Sequence, residues 1–137
     1  MPLWIARNTY TMFSARFGGA GSTTSSDTYV TIANSDIALD PAIFKLSDTL
    51  YVRFIYHLRN QTADKIAYIQ VYRQDAASAV ANSEETVTGT TWTVKDTGWL
   101  DWSSESGAES YQIQLKTESG GTAEYNSALM IISATDY

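Results

Sequence analysis

A chain of 137 residues, 44% hydrophobic and with a formal net charge of −6, has the length of one domain and buries on the order of 70% of its unfolded surface. It has no cysteine and a single histidine. That excludes disulfide staples and thiolate metal sites, and leaves a structural zinc only His57 and carboxylates. Nine scattered basic residues against fifteen acidic ones argue against nucleic acid as a partner, because phosphate backbones are gripped by clustered Lys and Arg.

The N-terminal stretch MPLWIARNTYTMFSARF lacks the basic segment and the roughly 7–15-residue apolar core of a secretory signal. Synthesis in the cytoplasm without a signal peptide is the expectation. No apolar run approaches the ~20 residues of a spanning helix, so no membrane is expected as a partner. Leu3–Ala6 and Thr9–Arg16 read as a strand broken near Asn8, followed by FGGAGSTTSSD, a Gly/Ser/Thr connector. Thr28–Ala33 alternates as a strand. Ile37–Leu46 contains Asp40-Pro41, a turn or boundary signal with room for one short helical turn.

Leu50–Gln74 is the most legible segment: LYVRFIYHLRN, the turn QTAD, then KIAYIQVYRQ. It reads as a hairpin of two long strands rich in β-branched and aromatic residues. Leu50, Val52, Phe54, Tyr56 and Leu58 share the face that belongs in the core, with Ala67, Ile69 and Val71 as the inner set of the second strand. Tyr68, Gln70, Tyr72 and Gln74 are left on an aromatic, polar outer face. Ala76–Asn82 reads as a loop. Shorter strands follow at Glu85–Gly89, Thr91–Val94 and Trp99–Trp102, then Tyr111–Thr117 and Thr122–Tyr125. Ser127–Ala134 (SALMIISA) is apolar on both faces, as suits a central strand or one face covered by another subunit.

About nine strands without a secure helix specify an all-β fold, an antiparallel two-sheet β-sandwich of jelly-roll type, with an immunoglobulin-like sandwich as the alternative. The whole chain, 1–137, reads as a single domain, with residues 1–16 able to dock on a neighbouring subunit. From Thr49 to Ser133 the elements TLYVRFIYHL, AYIQVYRQ, TTWTVKDTGWLDW, YQIQLK and EYNSALMII resemble, in layout, jelly-roll carbohydrate-binding modules. The same layout resembles virion decoration and accessory coat proteins. The resemblance implies the fold and, for the first group, a sugar-binding face.

Catalytic residues are not expected. His57 lies mid-strand with Arg53 and Arg59 on its face, an arrangement that does not organise a triad, and no GxSxG elbow is present. Glu84, Glu85, Asp96, Asp101, Glu105 and Glu109 read as solvated loop carboxylates rather than a glycosidase pair. No cofactor is implied. A structural calcium would have to be assembled from distant loops, because the DxDxDG spacing is absent. Trp99 and Trp102 stand three apart in GWLDW, so an ideal strand sends one inward and the other outward. Sugar-binding sheets set planar rings against pyranose faces with amides for the hydroxyls, and Tyr68, Gln70, Tyr72, Trp99, Trp102, Gln112 and Gln114 are the candidates for such a surface.

The expected function is therefore non-enzymatic: a structural protein that self-associates as a closed cyclic oligomer such as a trimer. It would add to a larger protein shell, fibre or filament, in a virion or other assembled particle. Trp4, Tyr10 and Phe13 are the candidate subunit-interface anchors. The alternative is an extracellular carbohydrate-binding module with a glycan on the Trp/Tyr/Gln face.

Overall fold

Strict alternation along the long strands sets the architecture, because a strand with one wholly apolar face must lay that face on another layer. The computed structural model describes residues 9–45 and 48–135, with side chains from Phe13 to Ala134; the expected strand Leu3–Ala6 lies outside them. Twelve strands are described: β1 (Thr9–Arg16), β2 (Thr23–Thr24), β3 (Val30–Thr31), β4 (Ile37–Leu39), β5 (Tyr51–Asn60), β6 (Ile66–Arg73), β7 (Ser78–Ala79), β8 (Glu85–Thr88), β9 (Thr93–Asp96), β10 (Leu100–Asp101), β11 (Glu109–Thr117) and β12 (Ala123–Thr135). The helical turn expected after Asp40 is a 3-10 turn, Pro41–Phe44, whose first turn is capped by the Asp40 carboxylate accepting from the Ala42 N–H at 3.0 Å.

The strands form two antiparallel sheets. The first runs β1-β12-β5-β10, with β2 also on β12 and β9 also on β5; the second runs β3-β11-β6-β7, with β4 also on β11 and β8 also on β6. The pairings are nested: β1 with β12, β3 and β4 with β11, β5 with β9 and β10, β6 with β7 and β8. A long antiparallel ribbon folded over on itself gives this nesting, which is the jelly roll. The first strand lies beside the last rather than beside the next, and that selects the jelly roll over the immunoglobulin-like alternative.

The faces of β5 and β6 follow the alternation: Leu50, Val52, Phe54, Tyr56, Leu58, Ala67, Ile69 and Val71 are all fully buried. The hairpin expected between these strands is corrected. β5 hydrogen-bonds to β12, β9 and β10, whereas β6 bonds to β11, β7 and β8, so the two strands face each other across the core from different sheets. Two strands that each carry one fully apolar face bury more surface by opposing those faces than by lying side by side. The linker makes the crossing with Asp64 at φ 64° and with Asn60, whose side chain is described below.

Smaller departures follow from bulges and loops. Of Thr28–Ala33 only Val30–Thr31 is paired, and the glycine-rich connector contributes β2. The two final strands are one, β12, interrupted by a bulge between Tyr125 and Ser127. The core is aromatic at its centre, where the Phe54 ring lies 6.3 Å from Phe17, 6.3 Å from Tyr56 and 6.4 Å from Trp102. At one end of it Gly18 is pressed against the Asn34 carbonyl, and its own carbonyl accepts from the Tyr125 hydroxyl. A Cβ there would overlap a backbone oxygen. Gly18→Ala is expected to cost about 3 kcal/mol, read as a lowered urea midpoint.

Candidate functional site

The outer face of the first sheet is built by the outward residues of β1, β12, β5 and β9. Register places Arg16 opposite Leu129, Leu129 opposite Ile55 and Ile55 opposite Asp96; one row away, Ser127 lies opposite His57 and His57 opposite Val94. Ile131 adds a further apolar side chain opposite Arg53. A shallow groove of about 230 Å³ runs between Arg16, Ile55, His57, Val94, Ser127 and Leu129. Val94 is 63% exposed.

Around this apolar centre Arg53 and Arg59 are paired on the face itself. Arg53 grips Asp96, with Nε donating to Oδ1 at 2.8 Å, and Arg59 Nε donates to Glu124 Oε1 at 2.9 Å. Each guanidinium also lies over an indole, Arg53 at 5.6 Å from the Trp99 ring centre and Arg59 at 4.7 Å from that of Trp92. His57 packs beside Trp92 at 5.0 Å, with Nδ1 3.2 Å from the Asn126 amide nitrogen. Trp92 was not singled out from sequence. The signal that could have found it is the outward parity of His57 and Arg59, which calls for a partner from the next strand.

The Arg53 hydrogen bond holds the Asp96 carboxyl below its ordinary pKa, with a further contribution from the Gly98 N–H. A depressed carboxyl stabilises the fold above its unfolded pKa and loses that contribution as pH falls through the folded value. Asp96→Asn is therefore expected to be less stable than the parent at neutral pH. The two stability curves should converge below pH ~4, measured by urea unfolding across pH.

The second sheet presents Tyr68, Gln70 and Tyr72 from β6 and Gln112, Gln114 and Lys116 from β11, with Gln112 opposite Tyr72, Gln114 opposite Gln70 and Lys116 opposite Tyr68. Five of the seven ligand candidates are thus brought onto one face. Their amides are tied together: Gln70 Nε2 donates to Gln114 Oε1 at 2.7 Å, Gln114 Nε2 to Thr31 Oγ1 at 3.2 Å, and Gln112 Nε2 to Asp36 Oδ2 at 3.2 Å. The Lys116 ammonium sits between the rings of Tyr29 and Tyr68, 4.7 Å from each centre. The tryptophan pair divides as its spacing requires. Trp99 is 42% exposed, beside Arg53 on the first sheet, and Trp102 is 4% exposed, inside the core, 5.1 Å from the Tyr111 ring.

Of the interface candidates, Trp4 lies outside the described residues. Tyr10 stands in β1 opposite Ala134, its side chain outside them too. Phe13 packs within the chain, 5.3 Å from the Phe44 ring and against the core. Most of the later-half carboxylates tie the chain to itself. Glu105 accepts from Arg73 and from the Tyr111 hydroxyl at 3.1 Å, and Glu109 accepts from the Asp75 N–H at 2.6 Å and the Ala76 N–H at 3.1 Å. Asp101 accepts from the Ser103 N–H at 2.9 Å, and Glu84 from the Tyr29 hydroxyl at 2.5 Å. Among the described residues no group of three or more His, Asp or Glu is placed to hold a metal ion.

No family model and no curated protein matches the chain. Solved structures do resemble its fold. Infectious bursal disease virus derived T=1 particles match with a TM-score of 0.48 and 15% identity over 96% of this chain and 32% of that one. The VP2 subviral particle of the same virus matches with a TM-score of 0.48 and 12% identity over 96% and 34%, and the Gx strain of the virus with 0.46 and 15% over 93% and 32%. The chain spans about a third of the length of the chains it matches, and the jelly-roll assignment rests on its own nested strand pairings.

Proposed function

We propose that this chain is a non-enzymatic structural protein that self-associates and adds to a larger shell, fibre or filament, in the manner of a virion decoration or accessory coat protein. The observation that carries this reading is the outer face of the first sheet: Ile55, Val94, Leu129 and Ile131 form an apolar centre, and the cations Arg53 and Arg59 at its margin are already neutralised by Asp96 and Glu124. An apolar core inside a polar rim is the anatomy of a subunit contact. The Arg53 and Arg59 pairs can be covered by a second copy without stranding either guanidinium, while Arg16, which lines the groove without an ion pair among the described residues, would take its acceptor from the partner. Engagement of a standard area, about 1,600 Å² in total, would suffice for a stable contact.

The test is the solution mass of the untagged protein by size exclusion with light scattering over a dilution series. The parent is expected as a closed oligomer such as a trimer. Leu129→Glu should release monomer while the domain stays folded, at a folding cost of about 1 kcal/mol or somewhat more, because Leu129 is half-buried on that face. A parent that is monomeric at every concentration overturns the reading. Deleting residues 1–8 leaves β1 in place, so loss of oligomer in that variant with an intact sandwich would assign an anchoring role to the segment containing Trp4.

A second reading, a carbohydrate-binding module, is supported by the gathering of Tyr68, Gln70, Tyr72, Gln112 and Gln114 on the second sheet. It predicts glycan retention that Tyr72→Ala abolishes without a change in oligomeric state.

A further inference from the structure

The last strand of a sheet exposes the main-chain groups it does not spend on its neighbour, and proteins blunt such edges by keeping them short. Among the described residues three of the sandwich's edges obey that rule. The first sheet ends on one side at β9 and β10, of 4 and 2 residues, and the second sheet ends at β3 and β4, of 2 and 3, and at β7 and β8, of 2 and 4. The remaining edge is β1, 8 residues long, without a proline and with Arg16 as its one charge. Register tells which of its groups are open. The Phe17 N–H donates to the Ala128 carbonyl at 2.9 Å, so by alternation Phe13 and Ala15 are the residues that exchange bonds with Ile132 and Met130. Ser14 and Arg16, between them, turn N–H and C=O away from β12. Both residues are exposed, and no described residue hydrogen-bonds to these main-chain groups. The bulge of β1 lies between Thr11 and Phe13 and leaves the run from Phe13 to Phe17 regular.

We propose that this edge is a second self-contact, in which β1 of another copy adds antiparallel to β1 and joins the two first sheets into one. The inference rests on the self-association reading above and supplies what growth requires, since a ring closed by one contact stops at its own subunits and a shell or fibre needs another. A strand that adds must itself have an open edge of matching length, and among the described strands only β1 has one. That makes the occupant a second copy of β1. The register is centred on Ala15: Ser14 of one copy exchanges both main-chain bonds with Arg16 of the other, and Arg16 with Ser14. This uses every open group of the regular run and sets alanine against alanine at the closely spaced pair. It also places each arginine opposite a serine rather than opposite the other arginine. Centring on Ser14 instead would draw the bulge into the ladder.

The test follows backbone amide hydrogen exchange at Ser14 and Arg16 in dilute and concentrated untagged protein, beside the mass by light scattering. Both amides are expected to exchange freely when dilute and to slow about tenfold or more when concentrated, while Phe13 and Ala15, bonded to β12, stay protected throughout. Ser14→Pro removes an N–H that β12 does not use, so the fold is expected to survive, with the protection of Arg16 and the doubled mass both lost. Ser14→Ala keeps the N–H and should behave as the parent. Leu129→Glu separates the two contacts: with the outer face disabled, a concentration-dependent dimer that Ser14→Pro abolishes is still expected. A dimer lost in Ser14→Pro but untouched by Leu129→Glu supports the edge and removes the face. Exchange at Ser14 and Arg16 that does not depend on concentration overturns the strand addition, even where Leu129→Glu still breaks a ring and the face reading stands. Slow exchange of both amides in dilute monomer overturns it as well, by showing that the edge is covered from within the chain. The parent's exchange decides the matter even if Ser14→Pro does not fold.

Discussion

Asn60→Ala is expected to lower the unfolding free energy by about 3–5 kcal/mol, a large share of the roughly 5–15 kcal/mol that holds a domain of this size. Asn60 is fully buried at the point where the chain leaves β5 for the other sheet. Its Nδ2 donates to Thr117 Oγ1 at 2.8 Å, and its Oδ1 accepts from the Thr62 N–H at 2.9 Å and the Thr122 N–H at 3.1 Å. One side chain thus ties the end of β5, the crossing turn, β11 and the approach to β12. Alanine would lose three hydrogen bonds and strand two main-chain donors, and the cost of stranded groups exceeds that of the bonds themselves. Asn60→Asp should also be destabilising, because it keeps the acceptor but removes the donor to Thr117 and buries a carboxyl. Gly121 completes the corner, since a Cβ there would press on Thr117 Oγ1 and sit 2.8 Å from Asn60 Nδ2. A urea-melt difference below about 1 kcal/mol for Asn60→Ala would show that the corner is held by something else.

Asn60 also marks the limit of what the sequence reveals. Parity along a strand is a local property, so the inner set of β5, the inner set of β6 and the division of Trp99 from Trp102 were all legible from alternation alone. Strand partners are not local. Thr9 pairs with Thr135 and Leu39 with Glu109, and nothing in either segment names the other. A short polar turn between two β-patterned runs is the usual hairpin signal, but here the same run is a crossing between sheets. The distinguishing feature is a buried amide whose three partners come from Thr62, Thr117 and Thr122, two of them more than fifty positions away. The same reasoning covers the two outer faces. Tyr68, Gln70 and Tyr72 shared a face by parity, and so did Gln112 and Gln114, but only pairing of β6 with β11 sets them side by side. The groove of the first sheet needed β1, β12, β5 and β9 to meet.

Adjacent residues of β5 give the sharpest contrast between fold and proposed function. Phe54→Ala is expected to cost about 3–5 kcal/mol, because Phe54 is fully buried and its ring is the meeting point of Phe17, Tyr56 and Trp102. The cavity left by the ring lies between two sheets, each held stiff by its own ladder and kept apart by the surrounding core side chains, so the surroundings have little freedom to collapse. Ile55→Ala, one position on, faces outward between Leu129 and Asp96 and removes side-chain area that is only partly covered. Its cost to folding is expected to stay near 1 kcal/mol, within the transfer value of a few partly buried methylenes. If the outer face is a contact between copies, the same substitution should raise the dissociation constant about tenfold or more, because the isoleucine lies at the centre of the apolar patch and central side chains dominate such contacts. Urea unfolding at low concentration isolates the first quantity and light scattering across a dilution series isolates the second. A pair of variants in which Phe54→Ala unfolds the domain and Ile55→Ala changes neither stability nor mass would leave the sandwich reading intact and remove this face from the assembly proposal.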